Sequence, residues 1–214
     1  MRFTKTRIRG AWLIDPEPKH DQRGLFVRTF CARACAERGL VTEFVQHSRS
    51  YSSVKGTLRG MHFQRAPHAE VKVVSCLRGA LWDVIIDLRP GSPSYGRWEG
   101  FELTAANRRL LYVPEGCAHG FQTLCDDVEV SYLISAYYEP AAAAGLRYDD
   151  AAFRVDWPLP IAVISERDRS WPAFEAGVSR DRSRSGVLGR ETPVEAAQRA
   201  PRPANTAPSV RDRM

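Results

Sequence analysis

Apolar and polar residues alternate with a period of two over much of this chain, as expected of strands with one buried face. Residues 43–53, EFVQHSRSYSS, and residues 128–138, VEVSYLISAYY, each read as a strand. Residues 71–88, VKVVSCLRGALWDVIIDL, read as two strands joined through Arg78-Gly79, a hairpin-like signal. Residues 96–116, GRWEGFELTAANRRLLYVPEG, continue as strand, Ala-Asn turn, strand and a Pro-Glu-Gly stop. Residues 24–30, GLFVRTF, are aromatic and alternate weakly, so a further strand is expected there. Only residues 31–40, CARACAERGL, look helical, and Gly39 suits the end of that helix. Many short strands divided by turn signals, with little helix, predict an all-β sandwich or barrel. Residues 156–174 keep enough aromatics and aliphatics to pack on this body. From residue 175 to 214 the text is rich in Arg, Pro, Ala and Ser, and offers too little apolar surface to offset ordering entropy. The predicted organisation is a folded domain over 1–174 and a disordered C-terminal tail over 175–214.

Composition changes this picture only at its edges. A length of 214 residues with 43% hydrophobic and 26% charged positions suits one domain with a sizeable core. The net charge of +6 raises a nucleic-acid reading, but half of it comes from the tail, where eight arginines face five acids. The rest is spread over the body without a basic helix or a lysine run, and Asp181 and Glu191 interrupt the arginines at 180, 182 and 184. No nucleic-acid partner is expected, and Trp82, Trp98, Phe101 and Phe121 read as core rather than as a stacking platform. Five cysteines at spacings that match no zinc motif point to reduced structural thiols. The N-terminus lacks the apolar stretch of a signal peptide, and no run approaches a membrane span. The expectation is a cytoplasmic protein with no membrane partner.

Candidate chemistry begins with PEGCAHGF, residues 114–121, which matches the second half of the cupin signature, Pro-x-Gly-x-x-His. The first half would be GMHFQ, where Gln64 stands in place of a second histidine and Glu70 is the nearest following acid. Two histidines, His62 and His119, and an amide make a poor transition-metal site. A small cupin-like jelly-roll barrel without a metal is therefore expected. Alternation puts Gly60, His62 and Gln64 on one face of a strand, and Lys72, Val74 and Cys76 on one face of the next. If those faces look into the lumen, His62 and Lys72 meet there, and His119 joins them from a turn. Asp83 and Asp87 read as solvated residues on an outer face.

The chain also resembles a known family. The strings DQRGLFVRTF, GTLRGMHFQ, AEVKVVSCLRGALWDVIIDLRPGSPSYGRWEGFELTAANRRLLYVPEGCAHGFQTL, VEVSYLISAYYEP and DWPLPIAVISERD are similar, in this order, to the dTDP-4-dehydrorhamnose 3,5-epimerase family. The resemblance spans roughly residues 3–174. It implies a metal-free, cofactor-free epimerase acting on a nucleotide-diphosphate sugar. It implies His62 as catalytic base, Asp168 as the acid that orients it, Lys72 facing the sugar's 4-keto oxygen and Tyr132 as general acid. His119 and Tyr138 fall at further site positions, and Arg23, Gln46 and Arg59 fall where the family holds the diphosphate. It also implies a homodimer with an exchanged N-terminal strand, which would carry Arg23 to the partner's site.

The chain departs from the family on the nucleotide side. RGLFVRTF keeps Phe26 but has Arg28 where the family's string ends in glutamate, and QHSRS has His47 and Ser48 for Asp and Asn. A carboxylate-to-guanidinium change turns an acceptor into a donor and reverses its charge. The expectation is a nucleotide other than dTDP, such as CDP or GDP, or a relaxed preference. Ala136 also replaces an aspartate before the paired tyrosines. Three rival readings remain: a 3,4-ketoisomerase on the same scaffold, a non-catalytic ligand-binding cupin, and a metal-dependent oxygenase, against which Gln64 argues.

Overall fold

The computed structural model describes residues 1–174; the tail expected to be disordered lies outside the described residues. In chain order the elements are β1 (Arg2–Lys5), β2 (Trp12–Asp15), β3 (Lys19–Asp21), β4 (Gly24–Phe26), α1 (Ala32–Ala36), β5 (Gln46–Ser52), β6 (Thr57–Gln64), β7 (Lys72–Arg78), β8 (Ala80–Asp87), β9 (Trp98–Thr104), β10 (Leu110–Val113), β11 (Cys117–Thr123), β12 (Val128–Ile134), β13 (Ala143–Gly145), β14 (Val163–Ile164) and α2 (Glu166–Arg169). Two sheets carry the fold. The first has the order β1-β2-β10-β7-β12-β5. The second runs β13-β6-β11-β8-β9, with β14 added in parallel against β6. Every other pairing is antiparallel, and β3 and β4 form a separate hairpin. This is a cupin-like jelly roll, as the alternation and the PEGCAHGF string led us to expect.

The core lies between the sheets. Val74, Cys76, Leu111, Val113, Val128 and Val130 from the first sheet meet Leu81, Ile85, Leu103 and Phe121 from the second. Burying these side chains drives the two faces together, at roughly 25 cal/mol per Å² of apolar surface removed from water. Both outer faces are covered as well. Met61, Val84, Ile86 and Ala118 pack under Leu146, Phe153, Trp157 and Phe174, so the 156–174 stretch packs on the body as its aromatics predict. Ile14, Val73, Leu110 and Tyr112 pack under Leu40, Val41 and Phe44.

Covering both faces explains a correction to the sequence reading. Asp83 and Asp87 are not solvated: both have no exposed surface. They share the inward face of β8 with Leu81 and Ile85, while Trp82, Val84 and Ile86 face the outer cluster. Burial pushes the Asp87 carboxyl up, but the Arg89 fork and the Ser92 and Ser94 hydroxyls outweigh it and hold it at about 2.

The helix expected over 31–40 is shorter, because Gly39 adopts a left-handed φ of 66° and its N–H bonds back to Ala36. The strand expected over 24–30 stops at Phe26. All five cysteines are free. No helix among the described residues is long and apolar enough to cross a membrane.

Candidate active site

A cavity of about 690 Å³ opens between the sheets, walled by β5, β7 and β12 on one side and β6, β11 and α2 on the other. Strand register assembles it. His62 on β6 lies opposite His119 on β11, and Tyr132 on β12 lies opposite Ser48 on β5. His119 thus comes from a strand, not from the turn before it.

His62 Nε2 lies 2.6 Å from Asp168 Oδ1. Asp168 is placed by α2, whose N-terminal Ser165 hydroxyl accepts the Asp168 N–H at 3.1 Å. Its other oxygen accepts the Gly60 N–H at 3.1 Å. Burial pushes the Asp168 carboxyl up, but the His62 imidazole and the Gly60 and Ser165 hydrogen bonds prevail, and its pKa is lowered. An ionised carboxylate only accepts, so His62 Nε2 carries the proton and Nδ1 is left with a free lone pair. His62 keeps 43% of its side chain exposed while Asp168 keeps 6%, so the imidazole is reachable from the cavity and the carboxylate behind it is not.

Tyr132 reaches the cavity from the opposite sheet. Its hydroxyl pairs with Ser50 Oγ at 3.0 Å and its ring meets His119 edge-on. Burial pushes its pKa well up, against the hydrogen bond from Ser50, so it holds its proton throughout the working range. Lys72 Nζ lies 2.8 Å from Glu70 Oε1. His119 Nε2 lies 2.6 Å from Asp83 Oδ1, and Asp83 Oδ2 has no protein partner.

At the mouth, Arg59 is braced by Ser52 Oγ at 3.1 Å and the Tyr51 carbonyl at 2.8 Å. Gln46 Oε1 accepts the Tyr138 N–H at 2.7 Å, which leaves the Gln46 amide donors for a ligand. Tyr138 is 55% exposed.

Nine of the twelve sequence-predicted residues therefore line one cavity: His62, Lys72, His119, Tyr132, Asp168, Gln46, Ser48, Arg59 and Tyr138. Arg23, Phe26 and Arg28 do not. Arg23 pairs with Asp21 on the β3–β4 hairpin, Phe26 is 72% exposed, and Arg28 follows on the exposed surface. The structure adds residues the sequence reading passed over. Ser50 shares the inward period of Gln46 and Ser48, so alternation alone could have found it. Arg167, which stacks over Trp171 at 5.2 Å, lines the cavity with no pattern to announce it.

The residues that would complete a cupin metal centre are engaged otherwise. Gln64 Nε2 donates to Glu70 Oε2, to the His68 carbonyl and to the Tyr137 carbonyl, and each histidine holds a carboxylate. Among the described residues no group of three or more His, Cys, Asp or Glu side chains is placed to hold a metal ion.

A jelly roll with a histidine–aspartate pair, a lysine and a proton-bearing tyrosine around one cavity suits proton transfer to and from a bound ligand, and similarity to known proteins gives the class: sugar epimerases. The sequence model of the dTDP-4-dehydrorhamnose 3,5-epimerase family matches residues 5–176, and the chain belongs to that family. A dTDP-4-dehydrorhamnose 3,5-epimerase of Methanothermobacter thermautotrophicus is 44% identical over 79% of this chain and 92% of its own. A dTDP-4-dehydrorhamnose 3-epimerase of Streptomyces niveus is 40% identical over 79% of this chain and 82% of its own. The crystal structure of dTDP-4-dehydrorhamnose 3,5-epimerase from Elizabethkingia anophelis NUHP1 superposes with a TM-score of 0.79 at 38% identity, covering 81% of this chain and 96% of that one.

Proposed function

We propose that this chain epimerises a nucleotide-diphosphate-linked 4-keto-6-deoxy sugar at C3, C5 or both. The observation that carries the reading is the 2.6 Å His62–Asp168 pair opening on the cavity that Lys72 and Tyr132 also line. A 4-keto group acidifies the hydrogens at C3 and C5, because loss of either gives an enolate with its charge on O4. His62 Nδ1 takes the proton, and Asp168 supports the imidazolium that results. Lys72 faces O4 and offsets the developing charge in a water-poor lumen. Tyr132 returns a proton from the other face, so the carbon inverts; His62 then gives its proton up to solvent and Tyr132 takes one from solvent, which restores both groups. No electron is gained or lost overall, so the reaction needs no redox cofactor.

The arginine at the mouth suits a diphosphate, whose oxygens its planar fork binds in pairs. We assign Arg59 and Gln46 to the diphosphate, Ser48 to the nucleotide side, and His119 and Tyr138 to the cavity wall. Arg23, Phe26 and Arg28 are assigned to the site of a second copy, reached by the exposed hairpin in a homodimer. Arg28, His47 and Ser48 favour a nucleotide other than dTDP or a relaxed preference. The working unit is residues 1–174, in the cytoplasm, without the tail.

Proton NMR in D2O tests the reading with dTDP-, CDP- and GDP-linked 4-keto-6-deoxy sugars. Loss of the C3 or C5 signal identifies the carbon that reacts and the nucleotide accepted. A moved carbonyl would identify a ketoisomerase. Binding of these sugars without exchange of either hydrogen would leave a ligand-binding cupin and end the epimerase reading.

A further inference from the structure

Gln64 stands where a metal-binding cupin has its second histidine, Glu70 is the nearest following acid, and the proposed chemistry gives neither of them a task. Both line the cavity. Glu70 Oε1 holds Lys72 Nζ at 2.8 Å, with 10% and 12% of the two side chains exposed. Glu70 Oε2 accepts from Gln64 Nε2 at 3.0 Å. The same Gln64 nitrogen reaches the Tyr137 carbonyl at 3.2 Å, and Gln64 Oε1 accepts the Glu139 N–H at 2.7 Å. Gln64 thus grips both residues that flank Tyr138.

We propose that Glu70 is a positioning residue: it fixes the Lys72 ammonium in the lumen and, through Gln64, ties that lysine to the backbone carrying Tyr138. The functional meaning of the tie rests on the reading above, in which Lys72 faces the sugar's O4. A lysine stem has four rotatable bonds and would sample many positions in an open cavity. A buried cation without a partner is also costly. One carboxylate removes both difficulties. It takes one of the three ammonium protons and leaves two directed elsewhere. An oxyanion is stabilised only by a donor already within about 3 Å of where charge develops, and a misplacement of about 1 Å can cost about a hundredfold in rate. The carboxylate lowers the net charge at the site, and in exchange the remaining ammonium protons keep a fixed direction. Because Gln64 joins the two, the wall segment that meets the ligand and the cation that meets the enolate move as one body.

Two measurements test this. In the first, Glu70→Ala, Lys72→Met and the double variant are compared by the rate of deuterium exchange. Glu70→Ala is expected to lower kcat about a hundredfold with KM changed less than about threefold. Glu70→Gln, which keeps an acceptor for Lys72, should fall between Glu70→Ala and the wild type. In the Lys72→Met background Glu70→Ala should cause no further loss, whereas a merely structural role would multiply the two losses. In the second, nitrogen-15 NMR of labelled lysines follows the Lys72 ammonium, whose protons exchange slowly while held by Glu70 and rapidly in Glu70→Ala. A Lys72 signal and a kcat both unchanged by Glu70→Ala would overturn the tether. A wild-type protein inactive on every sugar, but with a Lys72 signal that depends on Glu70, would remove the epimerase reading and keep the tether.

Discussion

The reach of one residue depends on what lies behind it, and His62 shows this most directly. Its Nε2 proton is fixed by Asp168, and Asp168 is fixed by the Gly60 and Ser165 backbone and side-chain contacts. Burial opposes ionisation of that carboxyl, yet its pKa lies below the ordinary aspartate value. A depressed carboxyl contributes stability that is complete above its unfolded pKa, about 3.9, and is lost as pH falls through the lower folded value. Asp168→Asn removes that contribution, so the variant's stability should decline less steeply in acid than the wild type's. Denaturant melts at neutral pH and near pH 3 measure the difference; parallel decline would mean the pair is not ionic. In that variant the new amide's oxygen would still suit the Gly60 N–H, which turns its NH2 toward His62 Nε2. The histidine proton is then driven to Nδ1, where the base must be free. Exchange should fall by about a hundredfold or more. The roles proposed for His62 and Asp168 were legible only through the similarity of two short strings. Burial of Asp83 was not, because alternation places a residue on a face but cannot say that both faces are covered.

At the scale of elements, β5 to β10 and β12 were legible because each carries its own period or turn signal, whereas β11 stands where the sequence reading expected a turn. Six short elements were not legible either: β1, β2 and β3, of four, four and three residues, and β13, β14 and α2, of three, two and four. None is long enough to show a period. The strands β13 and β14 are set by pairing with β6, which takes β13 on one side and β14 nearby, not by their own residues. Yet these last three pieces hold the histidine pair in place. Gly145 on β13 lies opposite His62, and a Cβ there would sit 2.2 Å from the Trp171 ring. The Trp171 ring in turn lies edge-on to His62, with centroids 6.4 Å apart. Gly100 on β9 makes the same approach to Trp82, at 2.4 Å, on the outer face of the second sheet. Both alanine substitutions should therefore overpack an indole and cost about 1–3 kcal/mol. Only Gly145→Ala should also lower kcat, since its displaced indole borders the base. Thermal melts paired with exchange rates separate the two effects, and equal losses of kcat in both variants would contradict this assignment.

At the scale of the whole molecule, the β3–β4 hairpin stands apart from the two sheets. All six of its strand residues are exposed, Leu25 and Phe26 among them. An apolar tip left in water is unfavourable unless something covers it. Arg23, Phe26 and Arg28 sit on this segment, away from the cavity that holds the other nine predicted residues. A second copy covering the hairpin would account for both facts, and it makes a sharp prediction because a two-fold dimer has two equivalent sites. Arg23→Ala should inactivate a homodimer by stripping the diphosphate anchor from each partner's site, and His62→Asn should inactivate one by removing each base. When the two inactive proteins are unfolded together and refolded, about half the dimers are mixed by random pairing. In a mixed dimer the Arg23→Ala chain keeps His62 and receives Arg23 from its partner, so one of its two sites is whole. Activity should return to about a quarter of the wild-type value on that pairing. If Arg23 instead served its own chain, no site in the mixture would hold both residues, and the mixture would stay inactive.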